Sequence, residues 1–585
     1  MGKTFKIVTI LFLCLFLLTI ICSFNYAGQI VQKNDPNGRL SIRLDSNINI
    51  HSNAEFTLYA FQGNGSAGNP YIIKNKVIDS SAINLAAIYI EDTNAYFRIQ
   101  NCTILKTKAG YNGIRLNNVT HGKIINCSIK NSGQDGICLT PNCINNTITE
   151  NTISNSTAHG INILRSCHYN NFTANTISKS TENGIIINNS CNYNIISFNT
   201  VYSSKTFNGI HLWNYCSYNQ ITGNNISFNP LSGIVIELGG VGNSVINNTV
   251  QQNGASGISL DSVTHTRIEL NKVSANTDGI RLTSSHNNTL VGNTANANGD
   301  RAIYLLNCHN NTLNDNTAFG NSHSSCVGIK LTNSDRNSLT NNILTYCYTG
   351  IYLSNADKNK LEYNHANYNI ERGIWLVDSE NNSLAYNEVK YNTKKNYAGI
   401  ELKTSHNNTL RNNEVMHNKG ENSGTPDYYN GIYLKQSNRN NLQFNTISNN
   451  TQNGIYLDNS SYNQIAYNTI TSNLFNGIAL SFAYYNIITQ NTIKGNPNWA
   501  IEDFWYAPYI NDPVTFPHIY LCKYNTIADN CIEGQINVEA TFNTITNNDN
   551  CGIPGFQWEI TIFMLLLAFL LQACIKRKRI GITPL

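Results

Sequence analysis

Apolar residues between positions 87 and 500 recur in one short pattern. The pair Gly-Ile appears at Gly113, Gly136, Gly160, Gly184, Gly209, Gly233, Gly257 and Gly279, and again at Gly328, Gly350, Gly373, Gly399, Gly431, Gly454 and Gly477. Ala-Ile replaces it at Ala87, Ala302 and Ala500. The intervals run mostly from 22 to 26 residues, with one of 32 before Gly431. Counting from Gly as zero, apolar residues fall near positions 1, 3, 12 and 17, and Asn near 10 and 15. The period at Gly160 shows this in Ile161, Ile163, Asn170, Phe172, Asn175 and Ile177. The alternation at 1 and 3 is the inside-outside-inside pattern of a strand. Short β-branched runs broken by Asn, Gly and Ser exclude helices and predict strands joined by tight turns. The period is too short for a propeller blade and lacks the Leu spacing of a leucine-rich repeat. What remains is an all-β chain, a single-stranded right-handed parallel β-helix of about eighteen coils.

The asparagines support this reading. Position 15 holds Asn151, Asn175, Asn199, Asn224, Asn248, Asn271, Asn293 and Asn316, then Asn342, Asn364, Asn387, Asn413, Asn445, Asn468 and Asn491. Stacked at the inter-strand spacing of roughly 4.8 Å, these amides form a hydrogen-bonded ladder. Asn also tolerates the left-handed geometry that tight corners require.

The two ends depart from the repeat. Lys3 and Lys6 precede the apolar run Ile7 to Ile21, so residues 1–27 read as a signal peptide or signal anchor. Ile560 to Cys574 is almost wholly apolar and is followed by Lys576, Arg577, Lys578 and Arg579. This predicts a transmembrane helix over 558–575 and a basic cytoplasmic tail over 576–585. Residues 28–86 are assigned to an N-terminal cap and first coil, 87–498 to the repeats, and 499–557 to a C-terminal cap and last coils. Pro508, Pro513 and Pro517 interrupt the period in that last segment, and Gly420 to Tyr429 reads as a loop bulging from one edge. Positive charge at both ends places the body outside the cell, held at the cell membrane by a single-pass C-terminal anchor.

Without residues 1–27 and 558–585 the body carries 33 basic and 34 acidic side chains. No basic face follows, which excludes nucleic acid as the expected partner. Thirteen of the 16 cysteines lie in the body, an odd number that cannot be fully paired within one chain. Cys102 and Cys127 share the position-15 slot in neighbouring coils, where a disulfide across a rung can form. Sequons such as Asn64, Asn118, Asn155, Asn171 and Asn225 offer glycosylation acceptors wherever they face outward.

If positions 1 and 3 point inward, positions 2 and 4 point outward. Position 2 supplies Tyr89, Arg115, His211, Arg281, Tyr304, Lys330, Tyr352, Trp375, Glu401, Tyr433 and Tyr456; position 4 supplies Trp213, Glu237, Asp261, Lys403, Lys435 and Asp458. Aromatic rings interspersed with charges suit saccharide binding, which makes Trp213, Tyr304, Tyr352, Trp375, Tyr433 and Tyr456 the candidate ligand contacts. The plainer reading is that Tyr is a good strand residue on an exposed sheet. His211, Glu237, Asp261 and Arg281 form the sharpest cluster. Two carboxylates on adjacent rungs can divide acid and nucleophile roles in glycoside cleavage, or one can bind Ca²⁺; an ordinary ion-pair ladder with Arg281 is the favoured explanation. Cys143, Cys167, Cys191 and Cys216 fall at position 7 of successive coils, where thiols can hold a soft ion such as Cu(I) or simply fill a tight turn.

The repeat NGI-x-L-x-x-S-x-x-N-x-I-x-x-N-x-I resembles those of the NosD-like and CASH (carbohydrate-binding and sugar hydrolysis) families. The segment Gly63-Asn64-Gly65-Ser66-Ala67-Gly68-Asn69-Pro70-Tyr71-Ile72 looks like the start of archaeal β-helix surface proteins. The resemblance spans roughly residues 45–550 and implies the fold strongly and the function weakly. Its NosD side implies a role around copper. Its enzyme side is incomplete, because the consecutive Asp-Asp of polygalacturonases occurs nowhere in this chain. The expected function is therefore a membrane-anchored surface β-helix that binds glycans or a surface-layer polymer. A carbohydrate-active enzyme, a structural stalk or adhesin, and a copper-handling protein are the alternatives.

Overall fold

Three strands of two to six residues are all that a period of this length can hold between tight turns. In the period at Gly160 they are Ile161–Leu164, Asn171–Thr173 and Thr176–Ser178. Each pairs in parallel with its counterpart one period later, Ile161 with Ile185, Phe172 with Ile196 and Ile177 with Val201. The three stacks are called here face 1 (the Gly-Ile strands), face 2 and face 3. The computed structural model describes residues 32–34, 40–42, 44–320, 326–393, 397–419, 430–503, 522–538 and 542–550. The signal segment, the loop Gly420 to Tyr429, the stretch containing Pro508, Pro513 and Pro517, the transmembrane helix and the basic tail lie outside the described residues. Two compact units divide the chain, 1–298 and 299–585. Each is a parallel β-solenoid with ten strands on each face among its described residues.

Two rungs of face 1 carry neither Gly-Ile nor Ala-Ile and so escape the repeat count. Ile48–Ile50 pairs with the strand at Ile88, and Ile536–Asn537 pairs with the strand at Ile501. Among the described residues Asn53–Tyr59, a 3-10 helix, is the only helix, and none is long and apolar enough to cross a membrane. Its Phe56 is fully buried, stacked on Tyr71 with centroids 4.7 Å apart and lying 5.5 Å from Phe97. It thereby covers apolar surface that the first coils would otherwise leave open.

The core is the inward set the pattern predicts. Ile161, Ile163, Phe172 and Ile177 are fully buried, each contributing about 1.5–3 kcal/mol by transfer from water. The repeating Gly is explained by close approach. A Cβ on Gly184 would lie 2.2 Å from Val201 Cγ1 and 2.7 Å from the Gly209 carbonyl oxygen, so no larger residue fits as the chain turns into face 1.

Asparagine ladders close the corners. Asn175 donates its backbone N–H and its Nδ2 to Asn199 Oδ1, at 2.9 and 3.0 Å, and Nδ2 also donates to the Ile148 carbonyl at 2.8 Å. One buried amide therefore ties three consecutive coils and leaves no polar atom unsatisfied. Position 10 forms an equivalent ladder through Asn146, Asn170, Asn194, Asn219 and Asn243. A third ladder, absent from the sequence reading, occupies position 20: Asn229, Asn253, Asn276 and Asn298 in the first unit, and Asn369, Asn392, Asn418, Asn450, Asn473 and Asn496 in the second. The left-handed geometry expected at the ladder asparagines belongs instead to the residue before each, as at Ala174 (φ 55°), Phe198 (φ 54°) and Gly223 (φ 67°). Hydrogen bonds from the following amide hold these corners, so even Ala and Phe adopt a conformation costing roughly 1–2 kcal/mol.

Candidate functional site

On face 1 of the first unit the parallel register sets Trp213 beside Glu237 and Glu237 beside Asp261. The vertical neighbours expected from the repeat are thus neighbours. His211 Nε2 lies 3.0 Å from Glu237 Oε1, and the His211 ring sits 6.4 Å from the Trp213 ring. That hydrogen bond holds the Glu237 carboxyl below the usual carboxylate range, against the opposing effect of burial. Arg281 is placed differently from the expected cluster. Its lateral neighbour is Ser259, and its guanidinium faces Asp278 of its own strand at 3.7 Å. Trp213 remains 38% exposed. A glycosidic proton donor needs a carboxyl pushed upward, and Glu237 is pulled the other way. The patch is suited to accepting hydrogen bonds from hydroxyls beside an exposed indole.

In the second unit, Tyr304, Lys330, Tyr352, Trp375, Glu401, Tyr433 and Tyr456 occupy consecutive rungs of face 1. They project away from the core as expected, yet Tyr304 (7% exposed), Tyr433 (7%) and Tyr456 (3%) are buried. The rung spacing of roughly 4.8 Å is close to the stacking distance of two rings, so the side chains close on one another. Tyr352 and Trp375 stack at 4.2 Å; Lys330 Nζ lies 4.9 Å over Tyr352 and Arg372 Cζ 3.9 Å over Trp375. Tyr433 and Tyr456 stack at 5.1 Å, and the Tyr433 hydroxyl donates to Asp458 at 2.9 Å. These ring faces are already taken by neighbours, whereas sugar stacking needs a free face.

Arg372 and Glu371, which immediately precede the Gly373-Ile374 pair and which the sequence reading did not single out, anchor this column. Arg372 Nη1 donates to Glu371 at 3.2 Å, its Nη2 to Glu401 at 3.4 Å, and its Nε also to Glu401. The guanidinium lies 3.9 Å from both the Trp375 and the Tyr397 ring. All three charged side chains are buried.

Cys143, Cys167, Cys191 and Cys216 stack as expected, and all are buried and free. The Cys143 N–H points to Cys167 Sγ at 3.4 Å and the Cys167 N–H to Cys191 Sγ at 3.2 Å. Cys167 Sγ contacts the Leu139 and Leu164 carbonyls. In the second unit Ser405 and Ser437 fill the corresponding slot, with the Ser405 N–H donating to Ser437 Oγ at 3.0 Å and that Oγ donating to the Leu402 carbonyl. Thiol and hydroxyl do the same structural work there. Hydrogen bonds with Cys143 and Cys191, and then burial, raise the Cys167 thiol, while burial and the Cys191 neighbour raise Cys216 to about 12. Among the described residues no group of three or more His, Cys, Asp or Glu is arranged to hold a metal ion. Cys102 and Cys127, read as a disulfide across a rung, are unbridged: the two thiols are hydrogen-bonded neighbours, and Cys102 also faces the Gln100 carbonyl and Cys127 that of Ile125.

The corner leading into face 1 holds two buried titratable groups. Asp135 accepts the His159 N–H at 3.1 Å and Asn162 Nδ2 at 3.0 Å. His159 Nδ1 accepts the Asn183 N–H at 3.2 Å, which leaves Nε2 to face Glu182 at 3.1 Å. Burial pushes Asp135 up to about 6 and, with the His211 charge acting in the same direction, His159 down to about 4. The stability slopes oppose. Folded Asp135 keeps a proton the unfolded chain has lost, so its contribution is present at low pH and fades as pH rises from about 4 to about 6. Folded His159 stays neutral where the unfolded chain is protonated, so its contribution is present above about 6.5 and fades as pH falls to about 4. Asp135→Asn is expected to unmask a Tm that rises with pH across this window, and His159→Asn one that falls. Thermal unfolding of both variants at four pH values checks this; parallel profiles would refute it.

Exposed aromatic columns were also missed. Tyr169, Tyr193 and Tyr218 stack at 5.0 and 5.1 Å, as do Tyr462, Tyr485 and Tyr524 at 4.9 Å. Each ring residue immediately precedes a ladder Asn and adopts positive φ. The dipeptide Tyr-Asn was the available signal.

Coils of three strands stacked in parallel, sealed by asparagine ladders, define the parallel β-helix class. The chain belongs to the right-handed β-helix family, whose model ("Right handed beta helix region") matches residues 59–226, 393–511 and 429–554, more than half of its length. The model described as "Periplasmic copper-binding protein (NosD)" matches residues 226–397, a NosD-like segment that excludes all four stacked cysteines. No curated protein matches. Among solved structures, the periplasmic alginate epimerase AlgG is similar at 17% identity and a TM-score of 0.29, over 47% of this chain and 80% of that one. The catalytic unit of the GH87 α-1,3-glucanase from Streptomyces thermodiastaticus is similar at 13% identity and a TM-score of 0.33, over 51% and 66%. DFA-IIIase from Arthrobacter chlorophenolicus A6 is similar at 14% and 0.32, over 54% and 94%. Likeness at these levels says nothing about the activity of this chain.

Proposed function

We propose that the chain is an exported, membrane-anchored surface protein that binds carbohydrate, a glycan or a surface-layer polymer, along face 1. The observation that carries this reading is the first-unit patch: an exposed indole, Trp213, with Glu237 and Asp261 on the next two rungs. The ring offers an apolar face and the carboxylates accept hydroxyl protons from successive sugars. Export and anchoring are supported by the apolar runs at both ends and the basic cluster 576–579. The body's balanced charge supports a neutral or hydroxyl-rich partner over nucleic acid.

A glycan array probed with the exported body tests the proposal. Trp213→Ala is expected to weaken binding at least about tenfold, or about 1.4 kcal/mol. Trp375→Ala, whose ring faces are covered, is expected to change it far less. An array with no bound glycan would leave the stalk or adhesin reading. Released reducing ends that disappear in Glu237→Gln would establish a carbohydrate-active enzyme instead. The copper reading predicts copper bound to the purified protein and lost in Cys167→Ser.

A further inference from the structure

We infer that one corner of each solenoid unit is a column of N-glycan acceptors, made of Asn145 and Asn287 in the first unit and Asn310, Asn381 and Asn407 in the second. This rests on the proposed export of the body. The chain holds sixteen Asn-x-Ser/Thr sequons, and no acceptor among them is a ladder asparagine or a buried one. The fold enforces that separation. Two residues after a position-10 or position-15 ladder Asn stands the inward apolar residue of the next strand, as in Asn175-Thr176-Ile177, so Ser or Thr is excluded there. Two residues after the corner residue stands an outward position, where Thr and Ser are favoured.

The five named asparagines share one place in the coil, the corner between faces 1 and 2, immediately before a position-10 ladder Asn. Each sits in Asn-Asn-Thr or Asn-Asn-Ser and is exposed, with φ between 56° and 58°. Left-handed φ turns the side chain of a corner residue away from the coil while its neighbour's amide bonds inward. None of the five side-chain amides is engaged in a hydrogen bond among the described residues. Two other acceptors differ: Asn126 Nδ2 donates to Asn101 at 3.0 Å and Asn118 Nδ2 to Asp92 at 2.8 Å. The five thus combine sequon, exposure and an unengaged Nδ2.

The chemistry needs an oligosaccharide carried on a lipid pyrophosphate and a membrane oligosaccharyl transferase. Nδ2 attacks the sugar C1; the N–C1 bond forms, the C1–O bond breaks, the lipid pyrophosphate leaves with its electron pair, and the amide gives up one proton to the transferase. Full-length protein from its native cells, digested and sequenced as glycopeptides by tandem mass spectrometry, tests the inference. Glycan mass is expected on the peptides holding the five asparagines. Thr409→Ala, which leaves ladder residue Asn408 intact, is expected to remove one glycan's mass from the whole protein with no change in Tm. Digestion of intact cells by an external protease is run in parallel. If the body is cut from outside but all five peptides are bare, the column is refuted and the surface reading stands. If it is protected and bare, both fall.

Discussion

Asn199→Ala is expected to destabilise the first unit by roughly 3–5 kcal/mol, the sum of several buried polar groups left without partners. Asn199 Oδ1 accepts both the backbone N–H and Nδ2 of Asn175; its own Nδ2 donates to the Phe172 carbonyl at 2.9 Å and to Asn224 Oδ1 at 3.0 Å. Alanine keeps the backbone path and removes all of these at once, in a site closed to water. Asn199→Asp should be worse at neutral pH, because a carboxylate would face the Phe172 carbonyl and Asn224 Oδ1 with no proton to offer. Because each coil contacts chiefly its neighbours, the damage should be local. Hydrogen exchange is expected to quicken in the coils beginning at Gly160, Gly184 and Gly209 and to be unchanged near residue 100. Denaturant unfolding with a loss below about 1 kcal/mol would refute the ladder as a stabilising element.

Arg372→Met is expected to cost about 3–5 kcal/mol, since it strands two buried carboxylates. Glu371 and Glu401 both bond the Arg372 guanidinium, and all three side chains are nearly inaccessible. Removing the cation leaves two buried carboxylates without their counter-charge. Two rescues distinguish this from lost packing. The triple change Arg372→Met, Glu371→Gln, Glu401→Gln should recover most of the stability, because a neutral cluster of similar volume needs no counter-charge. Acidification should also help Arg372→Met relative to the parent protein, because the stranded carboxyls can then take up protons. Chemical denaturation at pH 4.5 and 7.5 reads both effects, and an unrescued triple variant would assign the loss to packing instead.

The coil, its three strands and the position-10 and position-15 ladders were legible from one period of residues. Ile161, Phe172 and Ile177 point inward because strand alternation and the solvent leave no other choice, and neighbours one period apart become vertical neighbours by the same rule. That reasoning placed Trp213, Glu237 and Asp261 on successive rungs, as they are. It failed where a side chain's fate depends on its neighbours in space. Tyr433 and Tyr456 read as exposed, yet stacked rings bury one another at rung spacing. Arg281 read as part of the acid cluster, yet it turns to Asp278 along its own strand.

What the amino-acid sequence by itself determined is the architecture: a periodic pattern of apolar, Asn and Gly positions has only one way to bury its apolar set, bond its amides and let coils approach at glycine. What only the tertiary structure decided is the use of the surface. Which ring faces are free, which carboxyl gives up its proton easily, and which asparagines keep an unengaged amide are set by contacts across rungs, between residues some 22 to 32 positions apart in the chain. Those contacts depend on side-chain rotation and water exclusion, and no local pattern encodes them.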